Sequence, residues 1–520
     1  MLKYSIIIAV YRKEGAQMLR QWIFGPEYYE ELKGFLIFFA GAAVCLYLVY
    51  AVAVALPYVA HDSVRDFEKF FNPSPRASIH ILRGWAYGQG RPVGAEIESF
   101  IFKNVNQLTD LSRVRGLVVL VLALCAAWLG RFAVSRGFAR IPAFCLATAI
   151  FTLPGIQESV FVPYLFHAMT VLFAFIAYMF WSSRGVFALR LIGAMVFLEI
   201  AFLTYTADAF FFLIPTVLVL IREDDGIAAA KVALRDITLC LAAALLYYVI
   251  VKLFFYKGAE LSSGYQLVFS LGHVGTRILA LAGQALPRVF NFWNIYYAPF
   301  WGGIAALAVA GVWGAACHVD KKSGALMRAL ALVAILVTAN MIWFVSRQEY
   351  IPRSFAVTSA LCLLVTYEAL VRIAIWRGME LVTLARVLAG AVLMLGLVNA
   401  HVTVVRNAWN LNAELMFVRS RVLPYMNPSI TEIRVIQPRD PAMGFNGFPS
   451  TSDQFNSPTT GVDFEIPDLV RSVLVGVLRT DDQWLLSITM QKYDDPVLPP
   501  SPHRLIVDMN ELAAIGRWGK

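Results

Sequence analysis

The chain reads as an all-α polytopic membrane protein with a small mixed α/β appendage at its C-terminal end, and three observations say so. Apolar side chains make up 59% of its 520 residues and charged ones only 15%, against roughly 25% charged in an ordinary soluble domain. Apolar stretches of about 20 residues, the length that crosses a hydrocarbon core about 30 Å thick, recur along most of it. From Pro424 onward that pattern gives way to Pro, Gly, Asp and Ser, the composition of chain outside a bilayer.

The same arithmetic excludes other classes. A water-soluble enzyme does not carry so few charges. The +9 formal charge is not gathered into basic runs but falls between apolar stretches, which argues against a nucleic-acid binder. All six cysteines, Cys45, Cys125, Cys145, Cys240, Cys317 and Cys362, sit inside apolar stretches. That arrangement is neither a disulfide-stapled exterior nor a Cys-based zinc site.

Taken in order, residues 1–33 form a head in which Arg12, Lys13, Arg20 and Lys33 surround Trp22, Ile23 and Phe24, the pattern of an interfacial helix. A polytopic domain follows over 34–423, with eleven expected spans. These are 34–60, 116–134, 141–156, 160–181, 186–205, 209–221, 237–255, 299–317, 325–345, 351–370 and 381–405. The first is too long for a signal h-region and lacks a small-residue cleavage site, so it reads as an anchor that stays.

Lys and Arg in the short connections sort to one side. Arg131, Arg136 and Arg140 follow the second span, Arg184 the fourth, and Arg222, Lys231 and Arg235 the sixth. Lys321, Lys322 and Arg328 follow the eighth, Arg372 and Arg377 the tenth, whereas the connections around 157–159 and 206–208 carry none. The head is therefore expected in the cytosol and the tail outside. No proline-free N-x-S/T sequon occurs, which leans toward a bacterial inner membrane.

Three larger pieces fall on the outer side: loops 61–115 and 256–298, and the tail 424–520. In the second, Val268, Leu271, Val274, Ile278, Leu279 and Leu281 recur at helical spacing and predict a helix lying along the membrane surface. In the tail, 430–436 alternates as a strand does and 504–507 is a second short β segment. A loop-rich stretch over 437–461 lies between them. No internal repeat or low-complexity tract is evident.

Polar groups cost several kcal/mol in hydrocarbon, so their positions are informative. Those inside or bordering spans favour the outer half: His167, Glu199 and Asn340, with Glu158, Asp208, Arg347, Glu349 and Arg353 at the outer edge. A transporter needs a polar path through the midplane; this distribution favours a site at the outer membrane boundary instead. Just beyond the first span stands His61-Asp62-Ser63-Val64-Arg65-Asp66. Asp62 and Asp66 share a face if the helix continues. A carboxylate beside an arginine stays ionised and can take a proton from an attacking hydroxyl; the alternative is a cap or an Arg65 pair. Next comes Arg83-Gly84-Trp85-Ala86-Tyr87-Gly88-Gln89-Gly90-Arg91-Pro92. Its arginines suit phosphate oxygens and its aromatics a sugar face or an interfacial belt.

Together these residues resemble the outer loop of the bacterial serotype-converting O-antigen glucosyltransferases, polytopic members of the GT-C superfamily of membrane glycosyltransferases. That loop carries Asp-Asp-x-x-Arg, then Gly-Trp, then Gly-Arg-Pro-hydrophobic. Here stand His61-Asp62-Ser63-Val64-Arg65, Gly84-Trp85 and Gly90-Arg91-Pro92-Val93. The many-span layout and the extracytoplasmic tail also fit. One departure is that His61 occupies the place of the first acid; Asp66 is placed to supply the missing carboxylate one turn later, a single-base site being the alternative.

The resemblance implies transfer of a hexose, glucose by analogy, from a polyprenyl-phosphate donor to a glycan or lipid-linked glycan acceptor, inverting at the anomeric carbon. Asp62 is then the general base. Arg65, Arg91, Arg347 and Arg353 are expected to hold the donor phosphate, and His61, Asp66, Arg83, Trp85, Glu158 and Asp208 to contact substrate. For Glu158 and Asp208 a helix-capping role is the alternative, and for Arg347 and Arg353 surface anchoring near Glu349 and Tyr350. His167 and Glu199 are expected to bond one another or a backbone carbonyl. No cofactor is required and no metal is expected, although a divalent ion is allowed; partners are the donor, the acceptor and membrane lipids, with no nucleic acid. No phosphate-cradling GxxxxGK loop occurs, which disfavours a nucleotide donor. The competing classes are a flippase or transporter of lipid-linked sugars, and a non-enzymatic subunit of polysaccharide assembly.

Overall fold

The computed structural model describes residues 26–58, 86–105, 108–162, 164–223, 225–255, 270–281, 283, 286–289, 325–345, 352–439, 466–474, 486–496, 499 and 501–518. The head at 1–25, the loop segment 59–85, the eighth expected span and most of 437–461 lie outside the described residues.

Among the described residues the first elements are helix α1 (Pro26–Ala55), a short α2 (Pro92–Phe102) and α3 (Leu108–Ser135). Then come α4 (Arg140–Ile150), α5 (Pro154–Phe161), α6 (Leu165–Ser182) and α7 (Phe187–Thr204). A single turn, α8 (Thr206–Ala209), and a 3-10 turn lead into α9 (Ile214–Arg222), followed by α10 (Gly226–Ile250). Two short helices, α11 (Leu271–Ala280) and α12 (Leu286–Val289), precede α13 (Ala325–Ala339) and α14 (Met341–Val345). The long α15 (Ala356–Trp376) and α16 (Leu381–Val422) complete the bundle.

Among the described residues seven helices are long and apolar enough to cross a bilayer: α1, α3, α6, α7, α10, α15 and α16. The pair α4–α5, bent by 59°, makes an eighth if it is one span. The protein is a polytopic helical membrane protein, and the expected count of eleven is not reached among these residues. Where the third span was expected, the helix breaks because Pro154 opens α5; proline forces its predecessor out of the helical region and offers no N–H. The sixth becomes α9, whose 9 residues reach only about 14 Å. The ninth divides into α13 and α14.

Outward-facing leucines and isoleucines on these helices, such as Ile37, Leu48, Leu189, Ile192, Leu234 and Leu245, are exposed to what in place is lipid rather than water. Part of the stretch expected at the membrane surface is helical, as α11, whose Ile278 and Leu279 are exposed while Leu281 just beyond it packs with Trp343 and Phe355. Helices α1 and α16 pack together, with His401 Nδ1 midway along α16 lying 3.0 and 3.3 Å from the carbonyls of Leu48 and Val49, late in α1. The end of the bundle at which α1 finishes is called upper below, and the end at which it starts lower.

Two buried charges tie the bundle together, and both were misplaced by the span borders drawn on the sequence. Arg115 was the end of a loop in that reading. Helix α3 in fact starts at Leu108, so Arg115 is inside it and fully buried. Its Nε donates to Phe161 O (3.3 Å), Nη1 to Leu56 O (3.3 Å) and Nη2 to Tyr58 O (2.8 Å), with the guanidinium 3.8 Å from the Tyr58 ring centroid. One side chain thus closes the open carbonyl ends of α1 and α5. Asp236 bordered the seventh expected span, but α10 starts at Gly226, and Asp236 is fully buried. Its carboxylate accepts from Trp181 Nε1 (2.7 Å), Thr216 Oγ1 (2.8 Å) and Arg235 Nε and Nη2 (2.9 and 2.8 Å).

Helix α16 has 42 residues, about 63 Å at 1.5 Å per residue, twice the hydrocarbon thickness. Its buried stripe runs Ala385, Ala389, Leu393, Gly396, Ala400, Val404, Ala408, Leu411, Leu415, Val418 and Val422. Small residues in the first half allow close packing against α1 and α4. Larger ones in the second half meet the appendage. That appendage is a parallel sheet in the order β2-β1-β3, with β1 Glu432–Ile436, β2 Ser487–Gln491 and β3 Arg504–Asp508. Helices α17 (Ile466–Leu474) and α18 (Met509–Trp518) accompany it; β1 and β3 were expected and β2 was not. Ile433 and Val435 pack with Leu469, Val473 and the end of α16 in one continuous core.

On the other face Glu432 accepts from Arg434 Nη2 (2.5 Å) and from Arg504 Nε (2.6 Å), its register partner on β3. Burial alone would raise the Glu432 pKa, but the hydrogen bonds and charges of Arg504 and Arg434 outweigh it and hold the carboxyl below its usual range.

Two expectations follow. Asp236→Ala strands the Trp181 and Thr216 donors and is expected to cost about 3 kcal/mol, seen as a fall in Tm in detergent well beyond that of Leu234→Ala on the lipid face; equal Tm values would refute the hub. Because the folded pKa of Glu432 is depressed, its contribution is fully present above the unfolded carboxyl pKa and is lost as pH falls through the folded value. Hydrogen-exchange protection of β1 and β3 should therefore drop as the pH is taken below about 4.3, and Glu432→Gln should flatten that dependence.

Candidate site at the upper end

Four separate stretches bring ionisable side chains to the upper end. The first is the chain entering α2. Residues 86–91 form a tight turn in which the Gly90 and Arg91 N–H groups donate to Tyr87 O and Ala86 O (both 2.9 Å). Gly90 has φ +73°, and a Cβ there would meet the Tyr247 hydroxyl at 2.5 Å, so only glycine fits. Tyr247 OH on α10 donates to Gly90 O (3.0 Å), and Tyr87 OH to Glu96 (2.7 Å). Pro92 then starts α2 at its first turn, where a missing N–H costs nothing. Helix α2 lies against α7 so closely that a Cβ on Gly94 would be 2.6 Å from Thr204 O.

That docking brings the Arg91 guanidinium 4.4 Å from the ring centroid of Tyr205. The ring of His167, at the start of α6, lies 4.0 Å from the same Tyr205 centroid. His167 Nδ1 lies 2.5 Å from Asp208 Oδ2 on α8. Arg91, Tyr205, His167 and Asp208 therefore form one stack, and all four are buried. The Asp208 carboxylate at Nδ1 fixes the orientation of the imidazole ring. Water is largely excluded, so both the ion–π contact and the dyad are stronger than at a surface.

The second expected acid, Glu158, is buried in α5. Helix α5 packs against the 3-10 turn Pro352–Phe355, and that turn also packs against α8. The backbone at Arg353 thus stands at the same end as Glu158 and Asp208. Glu98 on α2 is buried nearby in sequence, and Gln89 Oε1 is buried with no hydrogen-bond partner among the described residues.

Of the residues singled out in the sequence, the structure assembles Arg91 and Asp208 through Tyr205 and His167 and sets the elements of Glu158 and Arg353 beside them. His61, Asp62, Arg65, Asp66, Arg83, Trp85 and Arg347 lie outside the described residues.

Three expectations need correction. Asp208 is not a cap, because Tyr205 occupies the N-cap of α8 and the carboxylate is committed to His167. Glu158 lies inside α5 and not at its N-terminus. His167 does not pair with Glu199, whose two carboxylate oxygens have no hydrogen-bond partner among the described residues. Asn340 bonds Thr358 on α15 (2.9 Å), a helix-to-helix link. The His167–Asp208 pair and Tyr205 were missed; the available signal was that both polar residues border spans whose parity puts them on one side. Among the described residues no group of His, Cys, Asp and Glu is arranged to hold a metal ion.

No family model, no curated protein and no solved structure matches the chain.

The docking of α2 is testable on its own. Gly94→Ala should lift α2 from α7 and raise hydrogen exchange over 86–102 by about tenfold or more, the effect of a few kcal/mol of strain on local opening. Exchange in α3 and α15 should stay unchanged. Equal exchange over 86–102 in both proteins would refute the close approach.

Proposed function

We propose that the protein is a membrane glycosyltransferase with a GT-C-like fold. In this reading it moves a hexose, by resemblance glucose, from a polyprenyl-phosphate carrier to a glycan or lipid-linked glycan hydroxyl, with inversion. The observation that carries the reading is the buried Arg91–Tyr205–His167–Asp208 stack at one end of an apolar bundle. Cation, carboxylate and imidazole gathered there have no need of one another for solubility, and the end of a span is the depth at which a lipid-borne phosphate sits.

The orientation implied by the arginine-rich connections makes the upper end extracytoplasmic, with the N-terminus cytosolic, the appendage periplasmic and the membrane a bacterial inner membrane. An O-antigen or related lipopolysaccharide glycan is the acceptor class that the motif suggests. In the reaction the acceptor oxygen forms a bond to the anomeric carbon as the bond from that carbon to the phosphate oxygen breaks. The electron pair leaves with polyprenyl phosphate, and Asp62 takes the acceptor proton. Arg91, with Arg65, Arg347 and Arg353, offsets the charge developing on the phosphate. His61, Asp66, Arg83, Trp85 and Glu158 frame the sugar and acceptor, and Asp208 serves them by setting His167.

A second reading, movement of lipid-linked sugars, has one observation in its favour. The α4–α5 break and the buried Asp236 and Glu368 extend polarity below the upper end, as broken helices do in transporters. Asp236 is saturated by its own donors, which weighs against a mobile substrate there.

The deciding experiment supplies purified protein in nanodiscs with labelled polyprenyl-phosphate glucose and a lipopolysaccharide acceptor, and follows free polyprenyl phosphate. Release with label appearing on the acceptor is expected. Donor crossing a vesicle bilayer intact, with no release, would replace this reading by the second. Asp62→Asn should reduce transfer by about 10²–10⁴-fold, the range of a general base, with insertion unchanged. Arg91→Ala should raise the apparent donor KM by about 10- to 100-fold, the loss of one charge-assisted contact, and an unaltered KM would remove Arg91 from the donor site.

A further inference from the structure

The lower end of the bundle holds a second polar constellation that the proposed reaction does not use. Helix α9 ends at Arg222, whose guanidinium stacks 4.0 Å from the ring centroid of the buried Phe138, in the turn between α3 and α4. Arg222 Nε is buried with no hydrogen-bond partner, and its side chain makes no other hydrogen bond among the described residues. Two more arginines bracket it from other helices. Arg372 on α15 donates through Nη2 to Ile221 O (3.0 Å), and Arg328 on α13 through Nη2 to Glu223 O (2.7 Å). Together they close the carbonyl end of α9. Glu368 lies one turn before Arg372 on α15. Its Oε1 accepts from Arg372 Nε (3.0 Å), while Oε2 is buried without a partner. Other described acids at this end are already engaged or exposed: Asp225 caps α10 through Ile227 N, Glu223 is exposed, and Glu380 accepts from Thr383.

Arg222, stacked on a ring with its Nε unpartnered, calls for an acceptor, and Glu368 Oε2, bare while Oε1 is bonded to the arginine that caps the neighbouring Ile221 carbonyl, calls for a donor. A phosphomonoester has both, since its second pKa near 6 leaves a P–OH on part of the population at neutral pH. Its oxygens suit the fork of a guanidinium better than any other common group. Arg222 closes the last turn of α9 at the lower end of the bundle, and the ends of membrane helices are where lipid headgroups lie.

We propose that the lower end binds the phosphomonoester headgroup of a lipid, with Arg222 donating to its oxygens and Glu368 Oε2 accepting from its P–OH. The site stands apart from the upper end and does not rest on the glycosyl-transfer reading.

The test uses the whole protein in detergent with dioctanoyl phosphatidic acid, with inorganic phosphate and dioctanoyl phosphatidylcholine as comparison probes, followed by native mass spectrometry. Phosphatidic acid is expected to bind saturably and phosphatidylcholine not to. Arg222→Gln should weaken that binding by about tenfold or more, the size of one charge-assisted interaction. Arg222→Lys should recover part of it, and Arg136→Gln, an exposed cation at the same end, should change it by less than about twofold. Equal binding by wild type and Arg222→Gln, or equal losses in Arg222→Gln and Arg136→Gln, would overturn the site. Displacement by inorganic phosphate at concentrations matching the lipid would overturn the lipid as source. Should Arg222→Gln not fold, phenylglyoxal labelling of the wild type decides. Arg222 is expected to be protected by phosphatidic acid, and undiminished labelling at saturating lipid would overturn the proposal.

Discussion

Arg115 has no water to turn to, and much of the upper end depends on what it does instead. A bilayer offers no hydrogen bonds, so each buried donor must find its acceptor within the protein. Arg115 finds three, all of them backbone carbonyls at places where helices stop: Leu56, Tyr58 and Phe161. A helix end in an apolar medium is itself a cluster of unmet acceptors, and a guanidinium with five donors is the side chain best able to serve several at once. The contact therefore solves two problems together and fixes the ends of α1 and α5 against the first turns of α3. What is set on those ends, the acid of α5 included, inherits that register.

The same constraint is met differently at each level of the bundle. Near the lower third, Asp236 is saturated by an indole, a hydroxyl and a guanidinium, and such a group is chemically inert. At the upper end the stack is longer and less closed: an arginine faces a ring, the ring faces an imidazole, and the imidazole is held by a carboxylate. Asp236 thereby holds α6, α9 and α10 together, whereas the upper stack gathers a cation, an imidazole and a carboxylate from three separate stretches at one end of the bundle.

The polytopic class, most of the helices and two of the three strands were legible in the sequence because hydrophobic length and alternation are local. The finer borders were not. Asp236 and Arg115 were assigned to the edges of spans because a charge looks like the end of an apolar run, whereas each is carried deep into its helix by partners remote in sequence. Arg115 lies 59 residues from Leu56 and Asp236 lies 55 from Trp181, and no window along the chain brings those together. The break at Pro154 was readable in principle, since a proline inside an expected span is a local signal. For the site, Arg91 and Asp208 were visible as polar residues at expected outer edges. Tyr205 between them was not, since an aromatic at a span border reads as an interfacial belt residue.

The long last helix shows how a membrane bundle and a small parallel sheet come to share one core. A three-stranded parallel sheet of five-residue strands is too small to bury both its faces by itself. Here the stripe on α16 continues past the bilayer without a break, from Ala400 through Leu411 and Val418 to Val422, and supplies one of those faces directly. The change from small to large residues along the stripe matches the change of partner, from closely packed helices to a sheet that needs bulk against it. Because the helix is continuous, the sheet cannot tilt without moving α16 against α1 and α4, where the small residues leave little slack. The appendage is thus held at a set height above the upper end by the same stripe that packs the bundle.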